Sequence, residues 1–265
     1  MEEEKIRLGG MALGNGVLVH GPTSWACAIR HPDGRLEVVA ERKRFRASNV
    51  ENPVLRGPAR IAEALALLPM VKRRLPAAKL PVENRRVLGS MVGAAAAVRG
   101  IRESRRLRPV MQELMAGVVS LAPAVLALRG SELAAYHGAE HISIGTYEHG
   151  ERATREHERC GGHLVGPLVA TSAVGNALSG LAPERVRGQA RAAAQIGAVA
   201  AATEIFGWMT RHPSHPVSRA LAKPGHELQH RLSTAEPSPE QLEVSEAALA
   251  ACLELEHAAR GGDSA

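Results

Sequence analysis

The sequence predicts an α+β fold: a small N-terminal antiparallel β-meander followed by a mainly α-helical bundle that associates with a membrane. Three observations predict it. Residues 8–43 carry β-rich runs separated by turn signals. From about residue 54 the apolar residues recur at helical spacing. Within the helical part, three stretches are apolar, rich in Ala and Gly, and almost free of charge. The chain divides accordingly into a β-rich segment (1–50), a helical domain (51–230) and a C-terminal amphipathic helix with a tail (231–265).

In the β-rich segment, Val17-Leu18-Val19 runs into the turn Gly21-Pro22-Thr23-Ser24. A second run, Trp25 to Arg30, stops at Pro32-Asp33-Gly34, and Leu36 to Val39 forms a third. The charged stretch Glu41 to Arg44 closes the meander. Ile61, Ala64, Leu65, Leu68 and Val71 then lie on one helical face, and Pro76 and Pro81 end that helix. Val87 to Val98 is a short Ala-rich run, followed by the Arg-dense block Arg99 to Arg108. This block reads either as a solvated helix face or as the cytoplasmic flank of a membrane segment. Leu114 to Leu128, Leu164 to Ala182 and Ala192 to Thr203 are the three apolar stretches, and the second approaches the ~20 residues that cross a bilayer. Soluble Ala-rich helices share this composition. Ser238 and Pro239 are the expected N-cap and first residue of a last helix carrying Leu242, Ala248, Leu249, Cys252 and Leu253, with a frayed tail at 261–265.

Composition bounds the function. Aromatic residues are only 2%, and the net formal charge is +6. Dispersed Arg, few stacking aromatics and no helix-turn-helix, zinc-finger or ribonucleoprotein motif count against nucleic acid as a partner; membrane lipid is the expected one, and self-association stays open. The cysteines Cys27, Cys160 and Cys252 are odd in number and far apart, which argues for a reducing compartment. The acidic start, Met1 to Lys5, has no apolar run, so no cleavable secretory signal is expected and the bacterial cytoplasmic membrane, or else the cytoplasm, is the expected location. No nucleophile elbow, Walker loop or dinucleotide fingerprint is present.

The chemistry concentrates between residues 137 and 163, where His137, Glu140, His141, Glu148, His157, Cys160 and His163 offer metal-ligand side chains. Ser131 to Tyr147 reads as a helix with Gly150 past its end. On it His137 and His141 stand one turn apart and Glu140 beside them, the His-x-x-Glu-His order of the inverzincins. Two histidines on a divalent ion, most naturally zinc, with Glu140 as general base, would suit metal-assisted hydrolysis. The third ligand is open among Glu204, a lone carboxylate in an apolar stretch, and Cys160 or His157. Each has a plainer explanation: an exposed helix residue for Glu204, a small buried side chain for Cys160, a helix cap for His157. His149 and His163 are weaker candidates, and the remaining histidines (20, 31, 212, 215, 226, 230, 257) read as surface residues.

These motifs resemble the bacterial YqhQ family, a group of unknown function described as predicted metal-dependent enzymes. The likeness runs through Gly9-Gly10-Met11-Ala12 with Gly16-Val17, His20-Gly21-Pro22, Ala28 to Gly34, Leu55-Arg56-Gly57, Tyr136 to His141, His157 to Gly161, Glu204, and the tail from Leu228-Gln229 to Glu243-Val244. It departs from the family at Asn15, His20, Ile142 and Gly162-His163. The resemblance implies a β-rich N-terminal piece, membrane-associated helices and a metal-dependent activity, with His137, Glu140, His141, His157 and Cys160 at the family's positions. A non-enzymatic membrane scaffold or assembly factor, with a closed structural metal site or buried polar cluster, is the alternative. The substrate, small molecule or peptide, is not legible.

Overall fold

The computed structural model describes residues 5–104 and 106–262. The acidic start (1–4), Arg105 and the tail from 263 lie outside them. Four strands form an antiparallel meander in chain order: β1 (Gly9–Leu13), β2 (Gly16–His20), β3 (Ser24–Arg30) and β4 (Leu36–Arg42). The register pairs Val17 with Ala28 and Val19 with Ala26. Three of these strands were legible from β-rich runs; β1 was not, because its sequence Gly9 to Leu13 begins on two glycines and has no β-branched residue.

Period-2 alternation usually leaves one face of a meander to water. Here β2 and β3 are buried on both faces, so the sheet is the middle of three layers. One face, bearing Leu13, Leu18, Trp25, Cys27 and Ile29, packs on Leu67, Val71 and Leu75. These belong to α2 (Leu67–Arg74), which follows α1 (Pro53–Leu65), and to its C-cap. The other face, bearing Val17, Val19, Ala26 and Ala28, packs on Tyr136 of α5 (Glu132–His149) and on Val244, Ala248 and Cys252 of α9 (Pro239–Gly262). Ala26 and Ala28 are small, which lets a helix lie close over the strands. α9 begins where expected: Ser238 donates its N–H to Gln241 Oε1 at 2.9 Å, and its hydroxyl accepts from Gln241 N at 3.3 Å, a reciprocal cap. Near the other end, the buried Glu256 carboxylate accepts from Thr23 N, Thr23 Oγ1 and Ser24 Oγ at 2.7–2.9 Å, locking α9 onto the β2–β3 turn.

The remaining helices are α3 (Arg85–Glu103), α4 (Pro109–Leu128), α6 (Val165–Gly180), α7 (Glu184–Arg211) and α8 (Pro216–Leu228). α3 packs along α4 and α6 along α7, and the pairs meet through α4 and α6. Arg102 closes the first hairpin with a bidentate pair, at 2.8 and 2.9 Å, to the buried Glu113. The Arg-dense block therefore sits at the end of this hairpin, not within a continuous helix. α4 is long and apolar enough to cross a membrane over Met111–Leu128, and only 17% of that stretch is buried within the protein. Val118, Leu126, Val174, Leu178 and Ile196 of α4, α6 and α7 are likewise exposed.

Candidate metal centre

α5 is the central helix of the site. Ser131 caps its start by accepting from Ala134 N, and Gly150, left-handed at φ 78°, ends it. From Gly138 to Gly145 it is buried on every side. Two glycines allow this. A Cβ on Gly138 would stand 2.2 Å from the Ala235 carbonyl oxygen, and one on Gly145 would stand 2.7 Å from Ala153 Cβ. The chain at 233–235 and the loop at 153–157 therefore press against α5 at van der Waals distance or closer than any side chain would permit.

That close approach delivers two backbone carbonyls to the two histidines. His137 Nδ1 donates to Ser233 O at 2.7 Å, and His141 Nδ1 donates to Arg155 O at 2.6 Å. Ser233 ends a π-helical turn, Gln229–Ser233, a local unwinding that recurs at functional sites. A carbonyl only accepts, so each Nδ1 must carry the proton and each Nε2 must present its lone pair. The rings stand 4.3 Å apart between centroids. Cys160 completes the group: its Sγ lies 3.6 Å from His137 Nε2 and accepts from Gly162 N at 3.4 Å. One ligand atom from each of His137, His141 and Cys160 falls within 4.8 Å of the others.

The electrostatics describe a neutral cluster. Burial lowers the pKa of His137, and burial with His137 alongside lowers that of His141 to about 3. Burial pushes the Cys160 thiol up to about 12. Two unprotonated imidazole nitrogens and a thiol form a group that could hold a metal ion, and nitrogen with soft sulfur is a donor set that suits zinc. The fixed tautomers match the way metal-ligating histidines are oriented by a carbonyl on the opposite nitrogen.

Glu140 projects from the same helix toward β1, its side chain lying over Gly10. It is buried, has no hydrogen-bond partner among the described residues, and burial lifts its pKa to about 8. It is near enough to Cys160 to help raise that thiol.

Two of the residues nominated as ligands are occupied otherwise. Glu204, on α7, is bound in a bidentate pair by Arg56 of α1 and does not join the His/Cys group. The sequence places it in an apolar stretch, but its neutralising partner comes from a helix almost 150 positions away. His157 lies beside His141, ring centroids 5.5 Å apart. Its Nδ1 accepts from Arg159 N at 3.3 Å and its Nε2 donates to Glu148 Oε2 at 3.0 Å, so no lone pair remains for an ion. Arg159 binds the same carboxylate.

The residues that hold the cluster from behind carried little sequence signal: His163 ranked as a weaker ligand candidate, and Gln229 entered only through the family likeness. Gln229 is fully buried; its Oε1 accepts from His157 N at 2.8 Å, and its amide donates to His157 O at 3.3 Å and His163 Nε2 at 3.0 Å. His163 Nδ1 in turn donates to Ala222 O at 3.1 Å. A glutamine at the end of a helix looks like surface. Backbone carbonyls, such as those of Ser233 and Arg155, have no sequence signature at all.

Beside this cluster lies a cavity of about 880 Å³, lined by residues 5–7, by parts of 148–163 and by the ends of α7 and α8.

Residues 129–255, just under half of the chain, match a family described as "Protein of unknown function (DUF1385)". The matched span contains α5, Cys160, the π-helical turn and Glu204, and ends within α9. No curated protein and no solved structure matches the chain.

Proposed function

We propose that this chain is a membrane-associated, metal-dependent enzyme of hydrolase type, built on a mononuclear zinc site of His137, His141 and Cys160. The observation that carries it is the pair of Nδ1–carbonyl bonds, which leave both Nε2 lone pairs free in a group whose ligand atoms, with Cys160 Sγ, lie within 4.8 Å of one another. A zinc ion held there by His137, His141 and Cys160 would supply Lewis acidity, lowering the pKa of water toward 7 and polarising an ester or amide carbonyl. Among the described residues the group offers three protein ligands, the number that catalytic zinc sites use.

The protein's own part follows from the cluster. Cys160, whose Sγ lies beside His137 Nε2, would hold the ion as a thiolate, having lost its thiol proton. Glu140, buried and without a hydrogen-bond partner among the described residues, is held mostly protonated by burial; a cation at the site would favour its charged form, in which it could accept the proton of the attacking water and return it to the leaving group. His157, fixed by Glu148, packs the His141 ring in place. The resemblance to the YqhQ family carries the same implication of metal-dependent activity. Membrane association is supported by α4, whose apolar surface is largely uncovered by protein, where the core helix of a soluble domain would be mostly buried.

One observation favours the alternative of a structural metal in a non-enzymatic scaffold: the large cavity is lined by His157 and His163, and not by the three ligands. Metal analysis of the purified protein beside a His137→Ala/His141→Ala variant tests the proposal. About one zinc per chain is expected for the wild type and almost none for the variant. Equal, near-zero metal in both removes the zinc site, and with it the hydrolase.

A further inference from the structure

The large cavity is lined by His157, the neighbour of His141, and by none of the three ligand-group residues, and its lining has a chemistry of its own. Three cations line it without an acidic partner among the described residues: Arg7 just before β1, and Arg219 and Lys223 on α8. Lys5 also lines it, donating to the Glu148 carbonyl at 2.9 Å, a contact that leaves its charge uncompensated. Of the three acids along the wall, Glu148 is held by His157 and Arg159, and Glu156 by His230 and Arg155. Glu158 alone is unpaired. The free charge of the cavity is therefore positive.

Ser218, on the same wall, is only 2% exposed, and its buried hydroxyl has no hydrogen-bond partner. Buried polar groups in folded proteins are almost always paired, and this hydroxyl, sealed from solvent just behind the lining, would gain a partner from a ligand atom by rotating its side chain toward the cavity. Phe206 and Met209 of α7 make the opposite part of the lining apolar. The volume is that of a site for a small molecule.

We propose that this cavity binds an amphipathic phosphate ester, with the phosphate taken by Arg7, Arg219 and Lys223 beside the Ser218 hydroxyl and the apolar body resting on Phe206 and Met209. One arginine satisfies a carboxylate; several unpaired cations lining one cavity suit the greater charge of a phosphate. The site stands independently of the zinc proposal, since none of its four polar residues is a metal ligand.

Calorimetric titration of the full chain in non-ionic detergent tests it with three probes: inorganic phosphate, dihexanoyl phosphatidic acid and dihexanoyl phosphatidylcholine. The phosphatidic acid is expected to bind at least about 10-fold tighter than either of the others. Arg219→Ala/Lys223→Ala, both at exposed positions that leave the fold intact, is expected to weaken it by about 10-fold or more, and Ser218→Ala by a smaller factor. Phosphatidic acid binding no tighter than inorganic phosphate or the zwitterionic lipid overturns the proposal, as does affinity unchanged in the double variant.

Discussion

Loading the site with zinc should release protons in a number fixed by the cluster's own titration. At pH 7 the two histidines contribute almost nothing, because both pKa values lie below their ordinary 6.5, that of His141 at about 3. The Cys160 thiol, at about 12, is fully protonated and must lose one proton to become a ligand. Glu140, at about 8, is roughly 0.9 protonated at that pH, and a cation nearby favours its charged form. The wild type should therefore release about two protons per zinc, and Glu140→Gln or Cys160→Ser about one each. Apparent zinc affinity should accordingly rise about 100-fold per pH unit below pH 8 and about 10-fold per unit above it. The count is read by calorimetry in buffers of different ionisation enthalpy, as the slope of observed heat against that enthalpy. Release near zero in the wild type, or undiminished release in Cys160→Ser, would refute both the thiol ligand and the neutral-cluster electrostatics.

Other perturbations separate the roles. Glu204→Gln should retain full zinc content, because its carboxylate serves Arg56; loss of the metal would restore it as a ligand. Gly138→Ala should cost about 2 kcal/mol or more and lower zinc content, since its Cβ would displace the chain that carries the Ser233 carbonyl; a thermal scan with metal analysis reads both. In the metal-free protein, Glu140 has a folded pKa raised from 4.5 to about 8. Its contribution to stability is therefore full below pH 4.5 and declines by about 1.4 kcal/mol per unit as pH rises toward 8. Glu140→Gln should flatten that decline in denaturation midpoints measured across the range, and an unchanged slope would show the carboxylate to be solvated.

The legible parts of the molecule were those governed by local rules. Ser131 and Gly150 bounded α5, Ser238 and Pro239 opened α9, and turn residues separated β2, β3 and β4, because caps and turns are written in neighbouring residues. The one-turn spacing of His137 and His141 placed both rings on one face. What stayed hidden depends on distant partners. Whether Cys160, His157 or Glu204 completes the ligand set turns on Arg56, Glu148 and Arg159, and spacing along the chain says nothing about which of these each side chain meets. β1 was missed for a different reason: its strand state follows from pairing with β2 and not from its own residues.

The three-layer arrangement of the sheet also sets an order of assembly. The face of β2 and β3 opposite α2 is covered by α9, with Ser24 hydrogen-bonded to the Cys252 carbonyl 228 positions later. During synthesis the meander precedes the helices and can dock on α2, but its second face gains only Tyr136 of α5 before α9 follows about 200 residues later, some 10–40 s at ordinary elongation rates. Through that interval much of the apolar surface of Val17, Val19, Ala26 and Ala28 lacks its cover while the helical hairpins are being made. Ala and Val there, in place of larger or aromatic side chains, keep the exposed patch modest. Because the N-terminal strands are completed by the last helix, truncation within α9 should impair the folding of residues synthesised long before it.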